Sequence, residues 1–252
     1  MLAFQPKDTK RLIAAALGNV ENDLAIEGCR IFNVFTKEFL EATVYICDGF
    51  ISHVEYNKKN SALPSKQRLQ LNGILCPGFI DAHTHIESSL LVPEHYAAMV
   101  LPHGTTTVLE DAHEIANVMG VEGIQYMLAA SQDLPMRMLL TLPSCVPSLP
   151  GFESSNAELF AKDYTALFQH PRVAGLGEVM DYEGVLQGEQ RIHDLLLAAK
   201  KHAGYLQGHA PLMEGNRLSA YVNAGPQSDH EVKTKQEALD KYRKGMWIDI
   251  RE

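Results

Sequence analysis

His83 and His85 stand two residues apart at the end of an apolar run in CPGFIDAHTHIESSL, residues 76–90. Side chains of a strand alternate faces, so both imidazoles point the same way. Two such rings at the C-terminal end of a strand suit one divalent ion with nitrogen ligands near ~2.0–2.1 Å. Three further residues take the same place on later strand-like runs: Glu178 closes VAGLGEVM, His209 closes YLQGHAP and His230 closes PQSDHE. Singly, each has an ordinary structural reading, as an ion-paired carboxylate, a core histidine bonded to backbone, or a helix-entry residue. A carboxylate on an apolar strand is nevertheless costly unless paired or metal-bound. Together with the His-x-His pair, the three point to a metal site.

Glu87, Ser88 and Ser89 follow the histidine pair directly, as substrate contacts or, for the serines, as a helix N-cap. Glu110, Asp111, His113 and Glu114 follow the next strand-like run, as partners of the ligands, a further metal site, substrate contacts or a solvated loop. His53, His95, His103, His170, His193 and His202 fall in the N-terminal segment or on helix-like stretches and read as structural or surface residues. His85-Ile86-Glu87 fits the His-x-Glu of zinc deaminases, but the Pro-Cys-x-x-Cys partner is absent. There is no HExxH, GxSxG, GxGxxG or Walker sequence.

Positioning such residues needs a repeating scaffold, and the chain supplies one. From Ile74 onward, the apolar runs ILCPGFIDAH, TTTVLED, MRMLLTLPS, RVAGLGEVM, YLQGHA, PQSDHE and MWIDIRE read as strands. Between them, PEHYAAMVLPHG, EIANVMGVEGIQYMLAASQ, NAELFAKDYTALFQH, GEQRIHDLLLAAKKHAG, EGNRLSAYVNAG and TKQEALDKYRKG read as helices. Strand–helix repetition implies a parallel sheet, and seven strands with six helices favour an α/β (β/α)₈ TIM-type barrel that stops short. Residues 1–73 read as a separate β segment. Residues 22–57 alternate in short runs broken at Gly28, Lys37-Glu38 and Asp48-Gly49, and KKNSALPSKQRLQLNG reads as a linker or edge hairpin. The barrel takes residues 74–252.

The composition sets the limits. The 252 residues are 46% hydrophobic and 21% charged, an ordinary globular composition that excludes disorder, collagen and coiled coil. A net charge of −9 without a dense Lys/Arg run argues against nucleic-acid and anionic-membrane partners. Cys29, Cys47, Cys76 and Cys145 form no CxxC pair and the N-terminal residues lack a signal core, so a cytoplasmic location is expected. No apolar stretch approaches the ~18–20 residues that span a bilayer.

The ligand pattern resembles that of the amidohydrolase superfamily, and DLAIEGCRIFNVFTKEFLEATVYICDGFISHVE resembles the β-sandwich segment preceding the barrel there. PGFIDAHTHIESS, GTTTVLEDAHEIANVMG, LPSCVPS, GLGEVMDYEGV, GHAP and SDHE are similar, along nearly the whole chain, to its bacterial adenine deaminase branch. The resemblance implies a binuclear centre of Mn²⁺ or Fe²⁺. His83 and His85 would hold one ion, His209 and His230 the other, and Glu178 would bridge them, where many relatives carry a carboxylated lysine. It implies hydrolysis of adenine to hypoxanthine and ammonia, with Glu87, Ser88, Asp111 and His113 as substrate or supporting contacts.

The superfamily's aspartate on strand eight ligates the first ion and moves protons, and no residue here takes that role. The expectation is therefore an N-terminal part of such a deaminase, ending near strand seven, with self-association into a homo-oligomer through its open edges. Two alternatives stand beside it: a non-catalytic remnant or partner-dependent metal-binding half, and an amidohydrolase acting on another cyclic amide.

Overall fold

The structure, a computed structural model, describes residues 8–56, 62–202 and 204–251. Residues 1–7, residues 57–61 of the polar stretch, Ala203 of the expected helix GEQRIHDLLLAAKKHAG, and Glu252 lie outside them. The chain divides into two compact units that part between Pro77 and Gly78.

The N-terminal unit is one five-stranded sheet with a short helix. Helix α1 (Thr9–Ala16) is capped by Asp8, whose carboxylate accepts the N–H groups of Lys10 and Arg11. The strands are β1 (Asn22–Asn33), β2 (Glu38–Cys47), β3 (Phe50–Tyr56), β4 (Ser65–Gln70) and β5 (Ile74–Leu75). β1, β2 and β3 form an antiparallel meander, and Gly28 marks a bulge where the β1–β2 register slips. Asp48 and Gly49 both have positive φ, as a two-residue hairpin turn requires. One face buries Cys29, Ile31, Ala42 and Val44. The described part of the polar stretch differs from the expected linker or hairpin: Ser65–Gln70 is an edge strand parallel to β1. Its side chains are mostly exposed and hydrophilic, so nothing in their pattern announces a strand.

The second unit begins with β6 (Phe79–Thr84), α2 (Pro93–Val100) and β7 (Thr105–Asp111), followed by α3 (His113–Met119), α4 (Val121–Ala130) and β8 (Arg137–Leu142). Next come β9 (Val173–Val179), α5 (Tyr182–Gln187), α6 (Gln190–Lys201) and β10 (Tyr205–Gly208). It closes with α7 (Gly215–Ala224), β11 (Ser228–Asp229), α8 (Lys235–Arg243) and β12 (Trp247–Ile248). β6 to β10 pair in chain order and all run parallel. β11 pairs with β12, and Gln227 N–H bonds Leu206 C=O at 2.9 Å, which joins the sixth strand to β10. All seven expected strands are present, in the arrangement of an incomplete (β/α)₈ barrel.

The middle of this sheet is covered on both faces, which is why β8 and β9 are almost continuously buried. On α6, Ile192, Leu195, Leu196 and Ala199 recur at helical spacing and are all buried. Each fully buried aliphatic side chain of this kind contributes roughly 1.5–3 kcal/mol.

Three expected features come out differently. The helix expected over EIANVMGVEGIQYMLAASQ is two helices, broken at Gly120 with φ +62° and ψ −141°, a conformation closed to residues with a Cβ. NAELFAKDYTALFQH holds only two short 3₁₀ turns, Ala161–Tyr164 and Leu167–Gln169. Its leading residues spend their N–H groups elsewhere, Asn156 on Asn117 C=O and Leu159 on Val146 C=O, and a helix cannot start there. Ser88 and Ser89 cap no helix: they lie in a 3₁₀ turn, Ile86–Ser89, and α2 starts later, at Pro93. Among the described residues, no helix is long and apolar enough to cross a membrane.

Candidate metal centre

The C-terminal ends of β6, β9, β10 and β11 converge on the carboxylate of Glu178, which is 2% exposed. Its Oε1 lies 2.8 Å from His83 Nε2, 2.9 Å from His85 Nε2 and 3.5 Å from His230 Nε2. Its Oε2 lies 2.7 Å from His209 Nδ1. The five residues form two ligand groups that share one member: His83, His85 and Glu178, and Glu178, His209 and His230. Ligands ~2.1 Å from a common ion stand about 3 Å apart when at right angles to each other, which is the spacing found here.

The far side of each ring decides which nitrogen is free. His85 Nδ1 is 2.8 Å from Asp111 C=O, an atom that only accepts, so Nδ1 carries a proton and Nε2 is the nitrogen left to face Glu178 and hold an ion. His83 Nδ1 faces Gln207 Oε1 at 3.2 Å, while Gln207 Nε2 donates to Ala82 C=O at 2.9 Å, which fixes the amide and sets the same tautomer. His83 Nε2, His209 Nδ1 and His230 Nδ1 are buried without an aligned hydrogen-bond partner. Lone pairs and an anionic carboxylate gathered this closely repel one another unless a cation stands among them, so the donor set fits divalent metal ions.

Without an ion, protons balance the charge of the cluster instead. Burial disfavours the His85 imidazolium, but the bond to Glu178 and the charge of Asp111 outweigh it and lift the ring to about 9. Burial and the neighbouring His83 push His230 down to about 4. Burial alone would raise the Glu178 carboxyl; the surrounding histidines hold it far below the usual carboxylate range.

Around the ligands lies a shell of anchored backbone. Asp111 Oδ2 accepts Glu178 N–H at 2.8 Å, and Ser144 Oγ donates to Glu178 C=O. That approach needs Gly177, because a Cβ there would lie 2.3 Å from Asp111 Oδ2. Tyr221, fully buried on α7, donates its hydroxyl to Val179 C=O at 2.7 Å and accepts His209 N–H at 3.0 Å, tying the ends of β9 and β10 together.

Asp111 and His113 reach the cluster: the His113 ring lies 4.4 Å from that of His85, and its Nδ1 is 3.8 Å from Asp111 Oδ2. Burial opposes the His113 charge, but Asp111 and the Cys145 thiol raise the ring to about 12. Burial pushes that thiol up to about 11, which leaves it a poor nucleophile. Ser88 lies at the cavity wall and donates to Glu114. Glu87 turns away from the ligands; it accepts Ile115 N–H at 3.2 Å, and its carboxyl pairs with that of Glu110, which burial and Glu87 hold well above the usual range. A cavity of about 720 Å³ opens beside the cluster, lined by His83, His85, Ser88, His230, Asp249 and Arg251 among others.

Gln207, Tyr221 and Ser144 escape a reading of the sequence. Gln207 had a signal, since it stands two residues before His209 on one strand. Tyr221 and Ser144 had none, because their roles depend on which strand end each one meets.

The sequence profile of the amidohydrolase family matches residues 74–251. The chain is 42% identical over 248 residues to adenine deaminase 2 of Carboxydothermus hydrogenoformans, covering 98% of this chain and 42% of that protein. It is 41% identical over 244 residues to the adenine deaminase of Halalkalibacterium halodurans, covering 96% and 41%. The chain thus spans about two fifths of the length of these curated relatives. Among solved structures, it is similar to a mutant atrazine chlorohydrolase from Arthrobacter aurescens complexed with zinc and atraton. The TM-score there is 0.64 at 16% identity, over 89% of this chain and 64% of the other. A triazine hydrolase variant gives a TM-score of 0.62 at 15% identity, over 90% of this chain and 65% of the other.

Proposed function

The chain belongs to the amidohydrolase family, and from that premise we propose that it carries the metal centre of a hydrolase that deaminates adenine to hypoxanthine and ammonia. The observation that carries the reading is the convergence of four histidines from three strand ends on the single carboxylate of Glu178. The similarity to adenine deaminases over nearly the whole chain supports the choice of substrate.

In this reading His83 and His85 would hold one ion and His209 and His230 a second, with Glu178 a member of both groups, and Mn²⁺ or Fe²⁺ would be the metals. Bound there, divalent ions supply Lewis acidity and bring the pKa of water close to neutrality. The protein's own part is orientation. Asp111 C=O and Gln207 hold the rings of His85 and His83 in the ligating tautomer, and Tyr221 sets the backbone of His209. His113, kept protonated beside Asp111, would place a positive charge next to the His85 ring. Water adds at C6, N1 takes a proton, and the exocyclic nitrogen leaves as ammonia, which requires a group that carries protons between these atoms.

A second reading is favoured by one observation. β6 lies at the end of its sheet, β12 pairs only with β11 among the described residues, and the cavity beside the cluster is lined from both strands. On this view the chain is a metal-binding part that turns over only when a further segment or partner closes that side. The test is ammonia release from adenine, with dihydroorotate as control, by the chain loaded with Mn²⁺ or Fe²⁺. Release from adenine supports the first reading, metal uptake without release the second, and release from dihydroorotate alone would exclude adenine as substrate.

A further inference from the structure

Lys241, on α8, is fully buried, as is its partner Asp229. Its ammonium donates to Ala210 C=O at 2.6 Å, to Glu237 Oε1 at 2.6 Å and to the Asp229 carboxylate. Three donors are all that an ammonium has, so nothing is left over for substrate or water. The two carboxylates pass the connection on. Asp229 Oδ1 accepts Ala210 N–H at 3.0 Å and Glu231 N–H at 3.3 Å. Glu237 accepts Leu212 N–H at 2.7 Å and Lys233 N–H at 2.9 Å.

The knot therefore holds both peptide groups of Ala210, next to His209, and it holds the residues on either side of His230. A buried charge cluster is a poor way to stabilise a core, since well-packed apolar residues of the same volume commonly do as well or better. What a charge cluster supplies is directional: three fixed bonds from one atom to the loop after β10, to the end of β11 and to its own helix. We propose that Lys241 is a positioning residue for the second metal subsite, clamping the exits of β10 and β11 so that His209 and His230 face Glu178 together. The inference rests on the metal-centre reading given above and adds to it a residue remote from the ions.

The experiment is a Mn²⁺ titration of the intact chain, with bound and free ion counted by electron paramagnetic resonance, which separates a coupled ion pair from a lone ion without reference to activity. Lys241→Met leaves two carboxylates buried without their counter-charge and is prone to misfold. The triple variant Lys241→Met, Asp229→Asn, Glu237→Gln removes the charges together and keeps the shapes. Circular dichroism and the thermal midpoint report folding. The expected result is a folded triple variant that keeps the ion held by His83 and His85, loses the coupled-pair signal, and binds the second ion about 10- to 100-fold more weakly, the usual effect of removing a support behind a ligand. A folded triple variant that binds both ions as the parent does would overturn the inference alone. A parent chain that never takes up a second ion would overturn the binuclear reading and the inference with it.

Discussion

At the scale of single residues, the centre is a problem of protonation as much as of placement. His85 at about 9 is a cation at neutral pH, held by Glu178 and Asp111. Its folded value lies above the unfolded value near ~6.5, so the stability it contributes to the metal-free chain is fully present below ~6.5 and lost as pH rises through about 9. Metal uptake has the opposite sign, because a ligand imidazole must first lose its proton. The rise in Tm produced by saturating Mn²⁺ is therefore expected to grow between about pH 6 and about pH 8. Scanning calorimetry across that range checks it, and a shift that shrinks with pH would remove His85 from the ligand set. Tyr221→Phe keeps the ring and deletes the hydroxyl, leaving Val179 C=O and His209 N–H unpaired in the interior. The expected cost is about 1–3 kcal/mol in a urea titration, with weaker metal uptake. The His-x-His pair was legible from the sequence because strand periodicity gives it a direction. The supports behind it were not, since a tyrosine on a helix shows no sign of which strand end its hydroxyl meets.

At the scale of elements, the strand pattern was the most readable part of the chain. Seven runs gave seven parallel strands, most plainly β8 and β9, because a buried parallel strand is apolar along nearly its whole length. Helices were readable where burial follows helical spacing, as in α6. They were misread where backbone groups had competing partners, as between Asn156 and Leu159, or where one glycine set the path, as at Gly120. α5 passed unnoticed: six residues are too few for a period to show, and it is its cap, Asp181 on Gly184 N–H, that marks the start. Leu195, fully buried on α6, tests whether this packing is separate from the chemistry. Leu195→Ala is expected to cost about 2–5 kcal/mol in denaturant unfolding while the folded variant still takes up Mn²⁺ as the parent does. Lost metal uptake in the folded variant would mean that the helix layer also sets the ligand geometry.

At the scale of the whole molecule, the described chain carries large apolar side chains in the open. Phe79 is 60% exposed, Ile80 66%, Trp247 67% and Ile250 94%, all on or beside β6 and β12. Water is a poor neighbour for so much apolar surface next to free strand edges. Purified chain is expected to self-associate as its concentration rises, measured by sedimentation velocity, and Ile80→Lys together with Ile250→Lys should return it toward the monomer. Monomeric behaviour of the parent at all concentrations would contradict this. The in-order pairing of the strands has a temporal side as well. A protein is made from its N-terminus, and each strand–helix unit here docks on an edge formed by the one before. Chain order therefore separates the two candidate ligand groups in synthesis: His83, His85 and Glu178 are all made before His209 and His230.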